Sequence, residues 1–157
     1  MYTYVNSSHP YLTGHNRQEP SIFVEREVSF GVAERRALVT RIDTIFIPVT
    51  DLKRSAEWYE QLLDLDRVYV TPDTNYIGFR FKGAGPQATA LTLFRSETIP
   101  QCKHAAFNLF TSDVEEAHRI FQEKQVKVTE VHDEAGMQFF DFWDLDGNWA
   151  QLISFPE

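Results

Sequence analysis

The spacing of apolar residues changes several times along the chain, and each change predicts a secondary-structure element. From residue 41 onward, IDTIFIPV is rich in β-branched residues and predicts a strand, and TDLKRSAEWYEQLL then takes helical spacing, with Leu52, Ala56 and Tyr59 on one face. Three short β-type stretches follow, DRVYV, NYIGFRF and ATALTLF, separated by the turn-forming TPDTN and KGAGPQ. These segments are predicted to run β-α-β-β-β.

The rest of the chain repeats this order of elements. HAAFNLF predicts a strand, SDVEEAHRIFQEK a helix, and VKVTEV, MQFFDFWD and NWAQLISF three further strands. Superposing the two helical segments sets Asp51 on Asp113, which indicates an internal repeat of about 60 residues. Ser112 and Glu115 have the spacing of a capping box at the start of the second helix.

The residues before this repeat have a different character. Residues 1–40 begin with an irregular segment rich in Ser, Asn, His and Pro, whereas SIFVEREVSF alternates apolar and polar positions. We predict an N-terminal arm over residues 1–40 that contains one strand and lies along the domain or a second subunit. A second interpretation is that residues 1–38 include translated leader upstream of the true start.

Length and composition favour one domain after the arm. With 157 residues, of which 43% are hydrophobic, the chain can bury one ordinary core. We place the domain at 41–157, with modules at about 41–100 and 101–157. The single cysteine, Cys102, excludes an intrachain disulfide framework. MYTYVNSSHP lacks the features of a signal peptide, and no apolar run reaches the roughly 18 residues of a membrane span, so we expect a cytoplasmic protein.

The net charge of −8 narrows the choice of partners. Acidic and basic side chains balance within residues 1–40, so the acidic excess lies in the predicted domain. Such a surface repels phosphate backbones and has no basic stripe, which argues against a nucleic-acid partner. A cationic or neutral small molecule is better tolerated, although excess acid also serves solubility alone.

The two predicted βαβββ modules, the opening RIDTIFIPVTDLKRSAEWYEQLLDLD and the ending DLDGNWAQL resemble the vicinal oxygen chelate superfamily. Its members include glyoxalase I, extradiol dioxygenases, fosfomycin resistance enzymes and bleomycin resistance proteins. The resemblance covers about residues 41–157 and implies an α+β fold in which the tandem modules form a curved mixed sheet around a cleft. We expect the protein to be a homodimer.

Strand periodicity selects residues that would face this cleft. On the first strand Thr44 and Phe46 oppose the more apolar Ile45 and Ile47, which we expect to pack beneath the helix. The same alternation points Thr92 into the cleft. The resemblance implies that metal-dependent relatives carry His, Gln or Glu at the position of Thr44 and a carboxylate near the position of Thr92. Threonine is not a competitive ligand for a divalent transition ion.

The end of the chain carries the other candidate ligands. The resemblance maps Gln151 onto a glutamate that ends the pattern D-x-D-G-N-x-x-E-L in metal-binding relatives. His104 shares the parity of Ala106 and Asn108, so it is predicted to face the cleft one rung from the ligand position. A catalytic metal needs three or four protein ligands, and these residues supply no such set. We therefore favour no cofactor; if a divalent metal binds, His104 and Gln151 are its predicted ligands.

The resulting prediction is a protein that binds a small organic molecule in an aromatic cleft without a tightly held metal. Its predicted lining is Thr44, Phe46, Thr92, His104, Asn108, Trp149 and Gln151. The first alternative is a divalent-metal-dependent lyase or dioxygenase of the same superfamily. The second is an interaction protein whose arm docks a partner. For the aromatic residues, plain core packing is the competing interpretation, and for Gln151 it is an amide hydrogen-bonded to a neighbouring strand.

Overall fold

Secondary-structure elements follow the two predicted blocks closely. The computed structural model describes residues 39–156, so the predicted arm lies almost wholly outside the described residues. Within that range the elements are β1 (Thr44–Val49), α1 (Leu52–Leu63), β2 (Leu65–Val70), β3 (Tyr76–Phe81), β4 (Ala90–Arg95), β5 (Asn108–Phe110), α2 (Val114–Glu123), β6 (Lys127–Val128), β7 (His132–Glu134), β8 (Met137–Trp143) and β9 (Trp149–Ser154). The predicted α+β class is confirmed.

The strands form two mixed sheets, one for each module. The first has the order β1-β4-β3-β2 and the second β5-β9-β8-β6, with β7 added beside β8. In both sheets the first strand is parallel to the last strand of its module, β1 to β4 and β5 to β9, and the other pairs are antiparallel. The matching topologies agree with the internal repeat read from the sequence.

The stretch VKVTEV does not form the single strand that its alternation predicts. Only Lys127 and Val128 of this stretch form a strand, β6, and β7 begins after it, at His132. Between the two strands, the hydroxyl of Thr129 accepts the backbone N–H of Asp141 at 3.0 Å, while the N–H of Thr129 donates to the carbonyl of Asp141 at 3.0 Å. A side chain has replaced one backbone acceptor of the ladder, which interrupts regular pairing at this point.

Equivalent aspartates begin the two helices. The carboxylate of Asp51 accepts the N–H of Arg54 at 3.0 Å, and that of Asp113 accepts the N–H of Glu116 at 2.9 Å. The predicted capping box of Ser112 and Glu115 is therefore wrong by one residue. A carboxylate satisfies a free N–H of the first turn and also favours the positive end of the helix dipole, so Asp113 serves better than the neighbouring serine.

Each helix covers the inner face of its own sheet. Under α1 the core includes Ile47, Val49, Phe79 and Leu93, and a second core under α2 includes Leu109, Phe121, Phe140, Phe142 and Leu152. Trp58, Leu63 and Phe107 pack against both cores and join the modules. Within residues 39–156, neither helix is long and apolar enough to cross a membrane.

Candidate functional site

The side of each sheet that faces away from its helix carries the candidate site residues. Phe46 is 57% exposed, whereas Ile47, the next residue of β1, is buried beneath α1, as the alternation predicts. The first open face is defined here by Thr44, Phe46, Tyr69, Tyr76, Gly78, Thr92 and Phe94. The second open face is defined by Asn108, Phe110, Lys127, Asp141, Trp143, Trp149, Gln151, Ile153 and Phe155.

Hydroxyl groups on the first open face satisfy one another. Tyr69 Oη lies 2.7 Å from Thr92 Oγ1, which lies 2.6 Å from Thr44 Oγ1, and Thr44 donates to the carbonyl of Ala90 at 3.1 Å. One direction of donation, from Tyr69 through both threonines to that carbonyl, gives every hydroxyl hydrogen an acceptor. Thr92 is 0% exposed. This face therefore offers a ligand no free threonine hydroxyl.

A glycine makes room for the tyrosine in this chain. Gly78 lies opposite Tyr69 in the pairing of β2 with β3. A Cβ atom at Gly78 would lie only 2.1 Å from Tyr69 Cε1, so the ring crosses the strand where glycine leaves space. Glycine inside a strand often marks such a close approach. The rings of Phe46, Tyr76 and Phe94 pack edge to face or stacked beside it, with centroids 6.2–6.4 Å apart.

These contacts test whether a divalent metal fits the positions that metal-dependent relatives use. The oxygens of Thr44 and Thr92 are neutral and already hydrogen-bonded. Among the described residues, no group of three or more His, Cys, Asp or Glu side chains is placed to hold a metal ion. This donor set does not fit a divalent ion, which needs several charged or imidazole ligands. The absence of a tightly held metal nevertheless stays a prediction.

A row of polar side chains crosses the middle of the second open face. Asn108 on β5 pairs with Gln151 on β9, which in turn pairs with Asp141 on β8. On one side of this row, Trp143 and Trp149 stack with centroids 6.2 Å apart and rings inclined by 24°. On the other side, Phe110 and Phe155 stack at 6.3 Å and 9°. The face therefore combines planar apolar surface with hydrogen-bonding groups, as small-molecule sites commonly do.

Two buried atoms on this face have no partner. Within the described residues, Asp141 Oδ1 and Trp149 Nε1 are buried and make no hydrogen bond. Since Asp141 pairs with Gln151, Trp149 is its diagonal neighbour on the same face. A buried polar atom without a partner costs about 1–3 kcal/mol. Such atoms in a native structure call for an explanation, and a bound group that supplies the missing partners is one.

Trp149 also lines a cavity of about 60 Å³. Trp143 and Cys102 are among its other lining residues. A cavity of this volume can hold one or two waters or a small chemical group. Cys102 is exposed. The only cysteine of the chain thus lies at the margin of the second open face.

The turn DLDGN has a structural role between the modules. Asp144, 8% exposed, accepts hydrogen bonds from Tyr59 Oη at 2.9 Å, Asn148 Nδ2 at 2.8 Å and the backbone N–H groups of Asp146 and Asn148 at 2.9 and 2.8 Å. Asp146 accepts from Ser55 Oγ at 3.0 Å, at the start of α1. Burial, followed by the charge of Asp144, raises the pKa of Tyr59 well above its usual range.

His104 does not occupy the strand position that its parity predicts. β5 begins only at Asn108, and His104 is exposed in the preceding loop, with Nδ1 2.8 Å from the carbonyl of Ala105. The register of β5 with β9, continued backward, would set His104 beside Gly147, which lies in the DLDGN turn at φ 85°. A turn offers no strand for residue 104 to pair with, so the ladder ends near Ala106.

The predicted lining residues therefore fall into two groups. Thr44, Phe46 and Thr92 lie on the first open face, and Asn108, Trp149 and Gln151 lie on the second. Tyr69 and Asp141 also lie on these faces and were not predicted from the sequence. The sequence signal for Tyr69 is Gly78 inside a predicted strand. The signal for Asp141 is that it is the one charged residue in the run MQFFDFW.

A further cavity, of about 570 Å³, opens at the start of α1. Its lining includes Lys53, Arg67 and Arg95 together with Leu52 and Ile77. The last two residues belong to the core beneath α1, so this cavity lies on the helix side of the first sheet. It is separate from both open faces. Arg67, moreover, is held by Glu60 at 2.8 Å.

Comparison with known proteins identifies the class to which this chain belongs. The sequence profile of the Glyoxalase/Bleomycin resistance protein/Dioxygenase superfamily matches residues 41–152. The chain belongs to this superfamily, as the resemblance in its motifs implied. None of the curated proteins matches the chain significantly.

Solved structures share the fold at low sequence identity. The antibiotic-binding protein TnmS3 from Streptomyces sp. CB03234 has a TM-score of 0.66 and 22% identity, over 77% of this chain and 100% of its own. The fosfomycin resistance protein FosX from Listeria monocytogenes gives 0.65 and 11%, over 76% and 96%. Lactoylglutathione lyase from Agrobacterium tumefaciens gives 0.59 and 19%, over 75% and 96%. These similarities concern the fold alone.

Proposed function

We propose that the protein binds a small, planar organic molecule on the second open face and holds no metal tightly. The observation that carries this proposal is the row of Asn108, Gln151 and Asp141 between two stacked aromatic pairs. Stacked rings bury the planar part of a ligand, and the polar row fixes its orientation. Gln151 then acts as a hydrogen-bonding group at a position where metal-binding relatives carry a glutamate.

Relatives give this proposal a context. TnmS3 is an antibiotic-binding protein, and the similar protein from Agrobacterium tumefaciens is a lactoylglutathione lyase. Binding and enzymatic members thus share one scaffold, so the chemistry of the site has to decide between them. In this chain the hydroxyls of Thr44 and Thr92 are committed to each other and to Tyr69, which favours the binding role.

Thermal-shift and calorimetric titrations with three planar, three-ring probes test the binding role. The probes are protonated 9-aminoacridine, neutral acridone and anionic anthracene-9-carboxylate. We expect at least one to raise the melting temperature and to slow the labelling of Cys102 by a thiol reagent, since Cys102 and Trp149 line one cavity. Trp149→Ala should abolish both effects, whereas Leu145→Ala, at an exposed turn position, should leave both unchanged. Failure of all three probes would contradict the proposal.

Elemental analysis after dialysis against several divalent ions tests the metal-free part. We expect no ion to remain in stoichiometric amount. One tightly bound ion per chain, lost in His104→Ala or Gln151→Ala, would overturn this part and direct assays toward lyase and dioxygenase substrates.

A homodimer is part of the proposal. Phe46 and Tyr76 on the first open face are exposed in the single chain. Contiguous apolar surface of this kind is uncommon on monomers, and a second copy would cover it. Sedimentation equilibrium should give twice the chain mass for the wild type and a lower mass for Phe46→Glu.

The cytoplasmic location expected from the sequence also stays a prediction, which cell fractionation would check.

A further inference from the structure

We infer that the second open face selects ligands that carry a protonated nitrogen, which Asp141 binds while Trp143 and Trp149 cover the adjoining ring system. The inference rests on the proposed function and adds the charge of the ligand to it. It follows from the unpartnered carboxylate, from the aromatic surface beside it and from the charges around it.

The carboxylate of Asp141 is the first observation. It stands in MQFFDFW at the same parity as Phe139 and Trp143, and its Oδ1 is buried without a hydrogen bond in the described part of the chain. An ionised carboxylate can only accept hydrogen bonds, so the group that completes this site has to be a donor. Donors that carry positive charge make the stronger bonds to carboxylates. Oδ1 itself is enclosed, but Asp141 as a residue is only half-buried, so a ligand on the open face would reach the carboxylate through its exposed part.

The tryptophans are the second observation. Trp143 and Trp149 stack on each other as the next residue pair on the same face, two residues along the strands from Asp141 and Gln151. The ammonium of Lys127 lies 4.3 Å from the centroid of the Trp143 ring. The protein's own cation therefore occupies one face of this aromatic pair, as the negative potential of an indole face favours. A cationic aromatic ligand would gain the same attraction in addition to stacking.

The surrounding charges leave Asp141 free for a ligand. The ammonium of Lys127 lies over the ring of Trp143, and no salt bridge within residues 39–156 joins Lys127 to Asp141. His132, on the adjoining strand β7, packs against Phe139 at 5.4 Å. Trp149, the diagonal neighbour of Asp141, has a buried Nε1–H without a partner in the described part of the chain.

The test compares the three probes of similar shape and different charge on the wild type and two variants. Asp141→Asn removes the charge and keeps the side-chain shape. Glu57→Gln, on the exposed side of α1, changes the net charge equally at a distance from the site. We expect wild type and Glu57→Gln to bind 9-aminoacridine about tenfold to a hundredfold more tightly than acridone, as for a hydrogen bond to a charged group. Anthracene-9-carboxylate should bind most weakly.

Asp141→Asn should remove the preference, weakening 9-aminoacridine about tenfold or more while leaving acridone within about twofold. Equal binding of 9-aminoacridine and acridone to the wild type would overturn the charge selection and leave the proposed function intact. An equal loss in Glu57→Gln would also overturn it, by showing that only net charge matters. Binding of none of the probes would overturn the proposed function together with this inference. Retained acridone binding shows that Asp141→Asn is folded.

Discussion

The two open faces share a topology and differ in how their polar groups are satisfied. On the first, Tyr69, Thr92 and Thr44 form a chain of hydroxyls that ends at a backbone carbonyl. On the second, Asp141 and Trp149 keep buried polar atoms without partners among the described residues. Buried polar groups are normally paired within the protein, so the exception marks the face that a ligand completes. Two faces of the same topology thus differ: the hydroxyl groups of the first are satisfied by its own side chains, and the second keeps two buried atoms without partners in the described residues.

The largest effect is expected from removing the hydrogen bonds by which the DLDGN turn joins the two modules. Asp144 accepts four hydrogen bonds, one of them from the buried Tyr59 hydroxyl of the other module. We expect Asp144→Ala to lower the free energy of unfolding by about 3 kcal/mol or more, because it leaves the buried Tyr59 hydroxyl and three part-buried donors without this acceptor. Urea denaturation would measure the change. The control is Asp133→Ala, which removes one bond to the N–H of Gly136 at an exposed turn, with an expected cost below about 1 kcal/mol. Equal costs for the two variants would show that the turn does not hold the modules together.

An effect of intermediate size should come from breaking the chain of hydroxyl groups on the first open face. In Gly78→Ala the new Cβ would displace the ring of Tyr69 and break its bond to Thr92, at a cost of about 1 kcal/mol. In a Tyr69→Ala background the same substitution should instead stabilise the protein by roughly 0.5 kcal/mol, because alanine restricts the unfolded chain and no ring stands in its way. A double-mutant cycle by urea denaturation measures both. Additive effects would mean that the ring does not depend on the glycine.

Sequence patterns predicted the scaffold well, because period and turn chemistry are local properties. The order of elements, the inward side of β1 and the equivalence of Asp51 with Asp113 all follow from spacing. Strand ends were less predictable. His104 lies in a loop because pairing with β9 stops at the DLDGN turn, and no local pattern specifies where a distant strand ends.

Contacts at the candidate site were the least predictable part. Thr92 was expected to line a cleft, and it lies on the expected face, yet Tyr69 covers it by reaching from β2 across Gly78 to β4. That contact depends on the arrangement of three strands and on one missing Cβ. Asp141 was visible as a charge in an apolar run, but its lack of a partner could be read only from the folded sheet.

The smallest expected effect is an increase in the free energy of unfolding, and it tests the difference between the two faces most directly. Asp141→Asn should raise the free energy of unfolding by about 0.5 to 1 kcal/mol, because it removes a charge whose buried oxygen has no partner. Groups kept for a ligand commonly lower stability in this way. On the first open face, Thr92→Val should lower the free energy of unfolding by about 1 kcal/mol, since it breaks hydrogen bonds that already exist. Thermal denaturation of ligand-free protein would show both shifts, with Glu57→Gln as the charge control. If Asp141→Asn destabilised the protein as much as Thr92→Val, the carboxylate would be a structural group, and the two faces would not differ in the way that their hydrogen bonds indicate.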